Sequence, residues 1–337
     1  MAKKDIVVIG GSAGSGPVLK SLLGGLPKDL RAAVFVTTHL PSHAPSLLHK
    51  LLENACPLPV ARATDGLPVE LGKVVIAVPD RHLLLIGGVV RLGDGPRENM
   101  VRPAIDPLFR SAALAYGPRV IGVILSGMMS DGAAGLWAIK RCGGTAVVQH
   151  PLDAQESSMP LAALEAVDAD EVVPAEALGG VIAALVGQRA GPERQPPADL
   201  AFEVDVAGGS RLGTKALSGF AEPTPMTCPE CQGVLSELKG EGPLRFRCQI
   251  GHAFSAENLA SRHEEVDQAL KAAMRMMEER VTLIERMGAD ARRAGRTAVA
   301  ELYEARSEEY RRYAAALRGA ARLSTRMSQP EDLEAVA

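Results

Sequence analysis

The segment Gly10-Gly11-Ser12-Ala13-Gly14 sets a serine among glycines, directly after the apolar run Ile6 to Ile9. A stretch carrying Val18, Leu19, Leu22 and Leu23 at helical spacing follows it. The pattern is G-x-S-x-G, in which glycines permit a turn too tight for side chains and lift the hydroxyl above a sheet. A serine so placed can act as an acyl-transfer nucleophile, with the Ala13 N–H as an oxyanion donor near the positive end of the helix. The same loop also suits a nucleotide phosphate, with Ser12 incidental. No G-K-[ST] follows, which excludes a Walker loop. A dinucleotide site also wants an acidic residue at the end of the second strand, and that strand ends Val36-Thr37-Thr38-His39-Leu40 without one. Adjacent parallel strands end side by side, so His39 is expected to face Ser12. A third strand end, Val123 to Leu125, leads through a tight turn to Asp131 at a helix start. Asp131 alone reads as the cap of its own helix, worth about 1 kcal/mol. With Ser12 and His39 it reads as the acid that orients an imidazole. The chain order serine, histidine, aspartate differs from the Ser-Asp-His order of α/β-hydrolases.

A second constellation is Cys228-x2-Cys231, sixteen residues, then Cys248-x3-His252. Two such knuckles complete a Cys3His tetrahedron around zinc. Four protein ligands leave no open position, so the expected role is structural, supplying folding energy to a module short of apolar residues. A redox C-x-x-C pair and unrelated thiols are the rival readings. Cys56 and Cys142 fall in the first part of the chain and read as core thiols.

The elements that must hold these residues alternate. Strand-like runs at Ile6–Ile9, Ala32–Val36, Val74–Val78, Val120–Leu125 and Thr145–Val148 are separated by helical stretches at Pro45–Leu52, Pro107–Ala115 and Gly132–Arg141. Gly87-Gly88 marks a hairpin near Leu83 to Val90. Apolar strands alternating with helices predict an α/β domain with a parallel, Rossmann-like sheet over residues 1–187. Residues 188–225, rich in proline and glycine, are expected to be a linker. A zinc-ribbon-like module at 226–255 and a helical hairpin at 256–327 complete the reading. Leu259, Val266, Leu270, Ala273, Met277, Ile284 and Met287 form a roughly heptad stripe on the first helix. A break is expected from Gly288 to Gly295, with Leu302, Tyr313, Leu317 and Leu323 continuing on the second helix. Met274, Met276 and Met277 read as helix packing.

Four motifs in order then become recognisable: Ile9 to Gly14; Val36 to Pro41; Arg102-Pro103-Ala104-Ile105-Asp106-Pro107; and Ser126-Gly127-Met128-Met129-Ser130-Asp131-Gly132. Over residues 4 to 187 the chain resembles the catalytic domain of the CheB family, bacterial chemotaxis protein-glutamate methylesterases. The resemblance implies hydrolysis of glutamate methyl esters on chemoreceptor helices with release of methanol; some members also deamidate receptor glutamines. It assigns Ser12 as nucleophile, His39 as base and Asp131 as orienting acid, with backbone N–H groups of Ala13 and Met128 holding the oxyanion. Three departures stand out. Ser15 follows Gly14 where the family has a second glycine, Met129 replaces the second glycine of the acid turn, and Asn99-Met100-Val101 replaces an Asn-Arg-His pattern. A strand beginning at Asp5 leaves no room ahead of it for the receiver domain that many members carry.

Composition narrows the rest. The 337 residues hold 37 Lys+Arg against 40 Asp+Glu with 3% aromatics, so neither the basic footprint nor the stacking platforms of a nucleic-acid binder are present. No run of eighteen apolar residues predicts a membrane span. Five cysteines without a leader pattern predict a reducing cytoplasm. The expected function is therefore a cytoplasmic serine hydrolase that needs no cofactor for catalysis. Its expected partners are methylated chemoreceptor helices, a response regulator or kinase, and a second copy through the C-terminal helices. The alternative is a catalytically weak adaptor on the same scaffold, docking on a helical partner.

Overall fold

Residues Ile6–Gly11 form strand β1, buried at every position. Its neighbours β2 (Ala33–Thr38) and β7 (Val120–Ile124), and β8 (Thr145–Gln149) beyond β7, are equally buried, as uninterrupted apolar runs require. With β3 (Val60–Arg62), β4 (Lys73–Ile76) and β9 (Glu171–Val173) they make a seven-stranded parallel sheet in the order β3-β4-β2-β1-β7-β8-β9. The computed structural model describes residues 2–40, 47–210, 217–261 and 263–327.

Side chains alternate across the sheet and feed two separate cores. Val7, Ile9, Val34 and Val123 pack with Leu19 and Leu22 of α1 (Ser15–Gly24) and with Leu178 and Ile182 of α6 (Ala175–Leu185). Ile6, Val8, Phe35 and Val148 pack on the other face. Their partners there come from α3 (Ile105–Tyr116), α4 (Ala133–Arg141) and α5 (Ser158–Ala166). Helix α2 (Leu48–Glu53) matches the helical stretch expected at Pro45 to Leu52, whose first residues lie outside the described ones. Strands β5 (His82–Ile86) and β6 (Val89–Gly93) form the hairpin expected at Gly87 and Gly88.

The stretch 188–225, expected as a linker, carries structure. Its start is tied to the N-terminus, with the Lys4 N–H donating to Gln188 O and the Ala190 N–H to Ala2 O. Helix α7 (Ala198–Ala207) then lies against α3 and buries Leu200 and Val204. Its inner face also buries Glu203, an acidic residue among ion-pair partners. A charge on the buried side breaks the apolar period by which a helix is read from sequence. Beyond it, β10 (Ala221–Thr227), β11 (Val234–Leu238), β12 (Arg245–Cys248) and β13 (Ala253–Ser255) form a four-stranded antiparallel sheet in chain order. A short helix, α8 (Ala256–Ala260), follows.

Residues 259–337 separate as a second unit. Its described part is dominated by two antiparallel 31-residue helices, α9 (His263–Arg293) and α10 (Thr297–Met327). Helix α9 runs through Gly288, so the break expected from that residue falls at 294–296 instead. The seam follows Met277, Val281, Ile284, Gly288 and Ala291 on one helix. On the other it follows Ala300, Tyr303, Ser307, Tyr310, Ala314 and Leu317. Leu302 and Tyr313, expected on the seam, are exposed because small residues at 300, 307 and 314 let the helices close on that face. Ion pairs from Glu278 to Arg318 and from Glu285 to Arg311 cross between the helices. No helix among the described residues is long and apolar enough to cross a membrane.

Candidate active site and metal centre

Strand register brings the first two residues together. Gly11 of β1 pairs with Thr38 of β2, so Ser12 and His39 are each the next residue beyond a matched pair. Gly10 pairs with Ile124 of β7, and the Ser12 N–H donates to Ser126 O at 3.0 Å, which brings the third strand end alongside. Ser12 Oγ lies 2.9 Å from His39 Nδ1, and His39 Nε2 lies 2.7 Å from Asp131 Oδ2. An ionised carboxylate only accepts, so the proton of the neutral ring sits on Nε2. Nδ1 then carries the free lone pair towards the Ser12 hydroxyl. The ring is thus used in the opposite sense to the serine-protease arrangement, with the same division of labour.

The glycines of the serine turn are needed for contact as well as for conformation. A Cβ on Gly10 would lie 2.3 Å from Ile105 at the start of α3. Gly14 has a φ of +75° and precedes α1, and a Cβ there would come within 2.7 Å of Ser126 Oγ. Ser15 is buried and donates its hydroxyl to Ser12 O at 2.6 Å. It closes the serine turn with a side-chain bond at the position where the resemblance leads one to expect a glycine. Ser126 holds the turn from the other side, donating from Oγ to Ala13 O at 2.9 Å. Ala13 is exposed and Met128 is 55% exposed; among the described residues, neither backbone N–H donates to a protein acceptor. Met129 takes φ +61°, the conformation a glycine would supply at this turn, and its N–H donates to Ser158 Oγ at 2.9 Å.

Asp131 does not cap the helix it precedes. Its carboxylate accepts from the Ile105 N–H at 2.7 Å and the Asp106 N–H at 3.3 Å, both in the first turn of α3. It also accepts from Asn99 Nδ2 at 3.1 Å. Burial pushes the Asp131 carboxyl up, but the His39 bond and charge, the Ile105 N–H and the Asn99 amide outweigh it. Together they hold the group below the ordinary carboxylate range. Asp106 moves the other way. Burial, then the neighbouring Asp131 charge, push it up to about 7.

Asp106 belongs to one of the four motifs that carry the resemblance and Asn99 opens the segment before it, but nothing in the sequence ties either to Asp131, and that link emerges only from the fold. Asn99 (φ +50°) and Met100 (φ +65°) form the tip of a tight turn closed by hydrogen bonds between Glu98 and Val101. Beneath that turn lies a buried charge network. Glu98 pairs with Arg110 of α3 and with Arg247 of β12 at 3.2 Å. Glu203 of α7 pairs with Arg247 at 3.1 Å and also with Arg245 and Arg110. Burial pushes Glu203 up, but the three surrounding guanidinium groups overcome it and leave the group firmly ionised. A cavity of 490 Å³ lies beside this network, with Asn99, Asp106, Ser130, Arg245 and Ser255 in its wall. Ser12 and His39 are not among its lining residues.

The structure also gathers the four predicted metal ligands. Their ligand atoms all lie within 4.8 Å of one another. Cys231 Sγ and Cys248 Sγ are 3.7 Å apart, and His252 Nδ1 lies 3.7 Å from Cys228 Sγ and 3.4 Å from Cys248 Sγ. A tetrahedral ion with metal–sulfur bonds of roughly 2.3 Å needs edges of roughly 3.5 to 3.8 Å, so the donor set fits one. Cys142 is buried and Cys56 partly buried in the α/β part, both as free thiols.

The α/β part of the chain resembles known proteins. The family model for CheB methylesterase matches residues 7–182. The protein-glutamate methylesterase/protein-glutamine glutaminase 2 of Anaeromyxobacter dehalogenans (strain 2CP-C) is 40% identical over 175 residues, covering 52% of this chain and 51% of that protein. The protein-glutamate methylesterase/protein-glutamine glutaminase 1 of Rhodospirillum rubrum is 33% identical over 193 residues, covering 56% and 50%. The chain thus spans about half the length of these two relatives. The crystal structure of the Thermotoga maritima CheB methylesterase catalytic domain superposes with a TM-score of 0.53 at 35% identity, covering 55% of this chain and all of that one. The family match ends within α6, so α7, the cysteine module and the helical hairpin lie outside it. With the matched region spanning the whole parallel sheet and the Ser12, His39 and Asp131 strand ends, this chain belongs to the CheB methylesterase family.

Proposed function

We propose that the chain hydrolyses glutamate methyl esters on chemoreceptor helices, with Ser12, His39 and Asp131 as its catalytic residues. The observation that carries this is the continuous hydrogen-bonded line from Ser12 Oγ through both ring nitrogens of His39 to Asp131 Oδ2. Ser12 Oγ attacks the ester carbonyl carbon while His39 Nδ1 takes its proton. The oxyanion is held by the N–H groups of Ala13 and Met128, and Asp131 stabilises the imidazolium that forms. His39 returns the proton to the departing methoxide, so methanol leaves and an acyl-Ser12 remains. A water that gives its proton to His39 then attacks the acyl carbon, releasing the glutamate side chain and restoring Ser12. The relatives' names also include glutaminase, and the same steps on a glutamine side chain would expel ammonia. Ser15 and Met129, both seated in hydrogen-bonded turns beside intact contacts, favour a working enzyme over an inert adaptor.

Cys228, Cys231, Cys248 and His252 would hold zinc as a structural ion, fixing the turns around β12 and β13 and taking no part in the ester chemistry. Three of the five cysteines gathered with His252 as a candidate metal site favour a reducing cytoplasm over a disulfide framework. The test is methanol release from a methylated chemoreceptor signalling fragment, comparing the intact protein with Ser12→Ala. Release by the intact protein alone is expected. Equal release by both would remove Ser12 from the mechanism, and release by neither would remove this substrate.

A further inference from the structure

The cysteine module reaches the proposed catalytic acid through a single side chain. Ser255 of β13 stands three residues beyond His252, and its N–H donates to Asn99 Oδ1 at 3.0 Å. The other end of that amide, Asn99 Nδ2, donates to Asp131 Oδ1 at 3.1 Å. Around this line the two parts are stitched together. The Asn99 N–H donates to Ala253 O at 2.8 Å, and Ser130 Oγ lies 2.8 Å from Ser255 Oγ. Arg247, next to Cys248, bonds both Glu98 and Gly251 O. Every module residue named in these contacts lies in the segment 245–255, which two of the four metal ligands, Cys248 and His252, would pin.

We propose that Asn99 is a positioning residue for Asp131, and that Ser255 fixes it, so that metal occupancy of the cysteine module sets how well Asp131 orients His39. The proposal rests on the esterase reading of Ser12 and concerns its control. The physical basis is that an amide has one acceptor and one donor end. Asn99 presents its donor end to Asp131 only while its acceptor end is engaged by Ser255. An Asn99 released from Ser255 can turn over or leave, and Asp131 Oδ1 then loses its only side-chain donor among the described residues. Groups that orient a catalytic ligand from behind typically matter 10- to 100-fold.

Two variants isolate the line without breaking the fold. Asn99→Gly deletes the amide while glycine keeps the φ of +50° without strain. Ser255→Pro deletes the N–H together with the hydroxyl that bonds Ser130 Oγ and accepts the Asn258 N–H, so Ser255→Ala, which keeps the N–H, is its control. Strand β13 is an edge strand in which that N–H points to Asn99 and not into the β12 ladder. The first readout is the rate of Ser12 labelling by a fluorophosphonate. We expect both variants to be labelled about 10- to 100-fold more slowly than the intact protein. Stripping metal with a chelator should slow the intact protein similarly, with recovery on adding Zn²⁺, and should leave Asn99→Gly no slower than it already is. The second readout is the downfield proton resonance of His39 Nε2–H against Asp131, which should move alike in Asn99→Gly and in the stripped protein. An intact protein that is not labelled at Ser12 would count against the esterase reading, and the resonance would still decide the relay. A resonance unmoved by Asn99→Gly overturns the proposal. So does a chelator effect of equal size in the intact protein and in Asn99→Gly.

Discussion

Asp131 and Asp106 each cap the helix that the other belongs to or precedes. Asp131, at the start of α4, accepts the Ile105 and Asp106 N–H groups of α3. Asp106, in the first turn of α3, accepts the Gly132 N–H at 3.0 Å and the Gly135 N–H at 2.6 Å of α4. Two carboxyl groups so close and so buried cannot both ionise cheaply. The His39-paired Asp131 keeps the charge, and Asp106 is pushed up to about 7.

That pair makes a signed prediction about pH. An acid raised from its ordinary 3.8 to about 7 holds its proton in the folded state over a window in which the unfolded chain has lost it. Its share of stability is therefore full below the unfolded value and lost as pH rises towards the folded one, at up to about 1.4 kcal/mol per pH unit. Asp131, held low, contributes oppositely, and only at more acid pH. Asp106→Asn keeps the Oδ1 acceptor for Gly132 and Gly135 but cannot titrate. Thermal unfolding between about pH 5 and pH 7 should show the variant gaining on the wild-type protein with each step. Parallel curves would mean that Asp106 ionises normally.

Gly127 tests how closely the acid turn must approach the serine. A Cβ there would lie 3.0 Å from Ser12 Cβ and 2.6 Å from Met159 Sδ. The flexible Met159 side chain can yield, whereas the Ser12 turn is fixed by the bonds of Ser12, Ser15 and Ser126. Displacement of a nucleophile by 1 Å costs about 100-fold. A 3.0 Å contact asks Ser12 to give by only a few tenths of an ångström. Gly127→Ala should therefore lower kcat of ester hydrolysis several-fold, by less than that factor, while the protein still folds cooperatively, as shown by its melting curve. Unchanged kcat would show that Ser12 does not depend on this approach.

Met129 makes the opposite prediction. A non-glycine residue in the left-handed region costs about 1–2 kcal/mol, and Met129 sits at φ +61°. Met129→Gly removes that strain and keeps the N–H that bonds Ser158 Oγ. Part of the gain is returned through the greater freedom of glycine in the unfolded chain. Denaturant unfolding should show a net stabilisation of about 0.5–1 kcal/mol. A loss of stability would place the main contribution of Met129 in side-chain packing.

Much of the site was legible because it hangs on strand ends. An apolar run followed by Gly-Gly-Ser, another followed by His39 and a third followed six residues on by Asp131 suffice to predict the meeting, since parallel register carries Gly11 against Thr38. The cysteine spacing was legible for a similar reason, because chelation imposes a local geometry on a short stretch. What stayed hidden depends on distant partners. Asp131, read as the orienting acid, had the cap of its own helix as its reading when taken alone, and its remaining bonds cap α3 instead. Asn99 opened a segment read for its departures at Met100 and Val101, and its proposed role needs Ser255, 156 residues away. Helix α7 hid because its buried face carries Glu203, whose burial makes sense only beside Arg110, Arg245 and Arg247. Leu302 and Tyr313 were apolar at plausible positions, but the seam of the hairpin follows small residues one register away.

Glu203 allows the docking of the cysteine module to be tested apart from any metal. It is 2% exposed and bonds guanidinium groups from α3 and from β12, so it joins the α/β part to the module from a third element, α7. Among the described residues, the buried Nε atoms of Arg110, Arg245 and Arg247 find no acceptor, so the carboxylates carry most of their pairing. Breaking a buried ionic network by removing one partner strands the opposite charges and costs about 3–5 kcal/mol. Glu203→Gln preserves shape and removes only charge, so a loss of this size would report the electrostatics. Replacing Leu200, which packs on the neighbouring face of the same helix, by alanine should cost about 2–5 kcal/mol through the cavity it leaves. The two variants separate through a second substitution: charge lost at Glu203 leaves the Arg245 guanidinium stranded, so adding Arg245→Met should recover part of the stability that Glu203→Gln loses. The same addition to Leu200→Ala should recover none. If the two respond alike, α7 holds the module by packing, and the buried ion pairs are incidental to its docking.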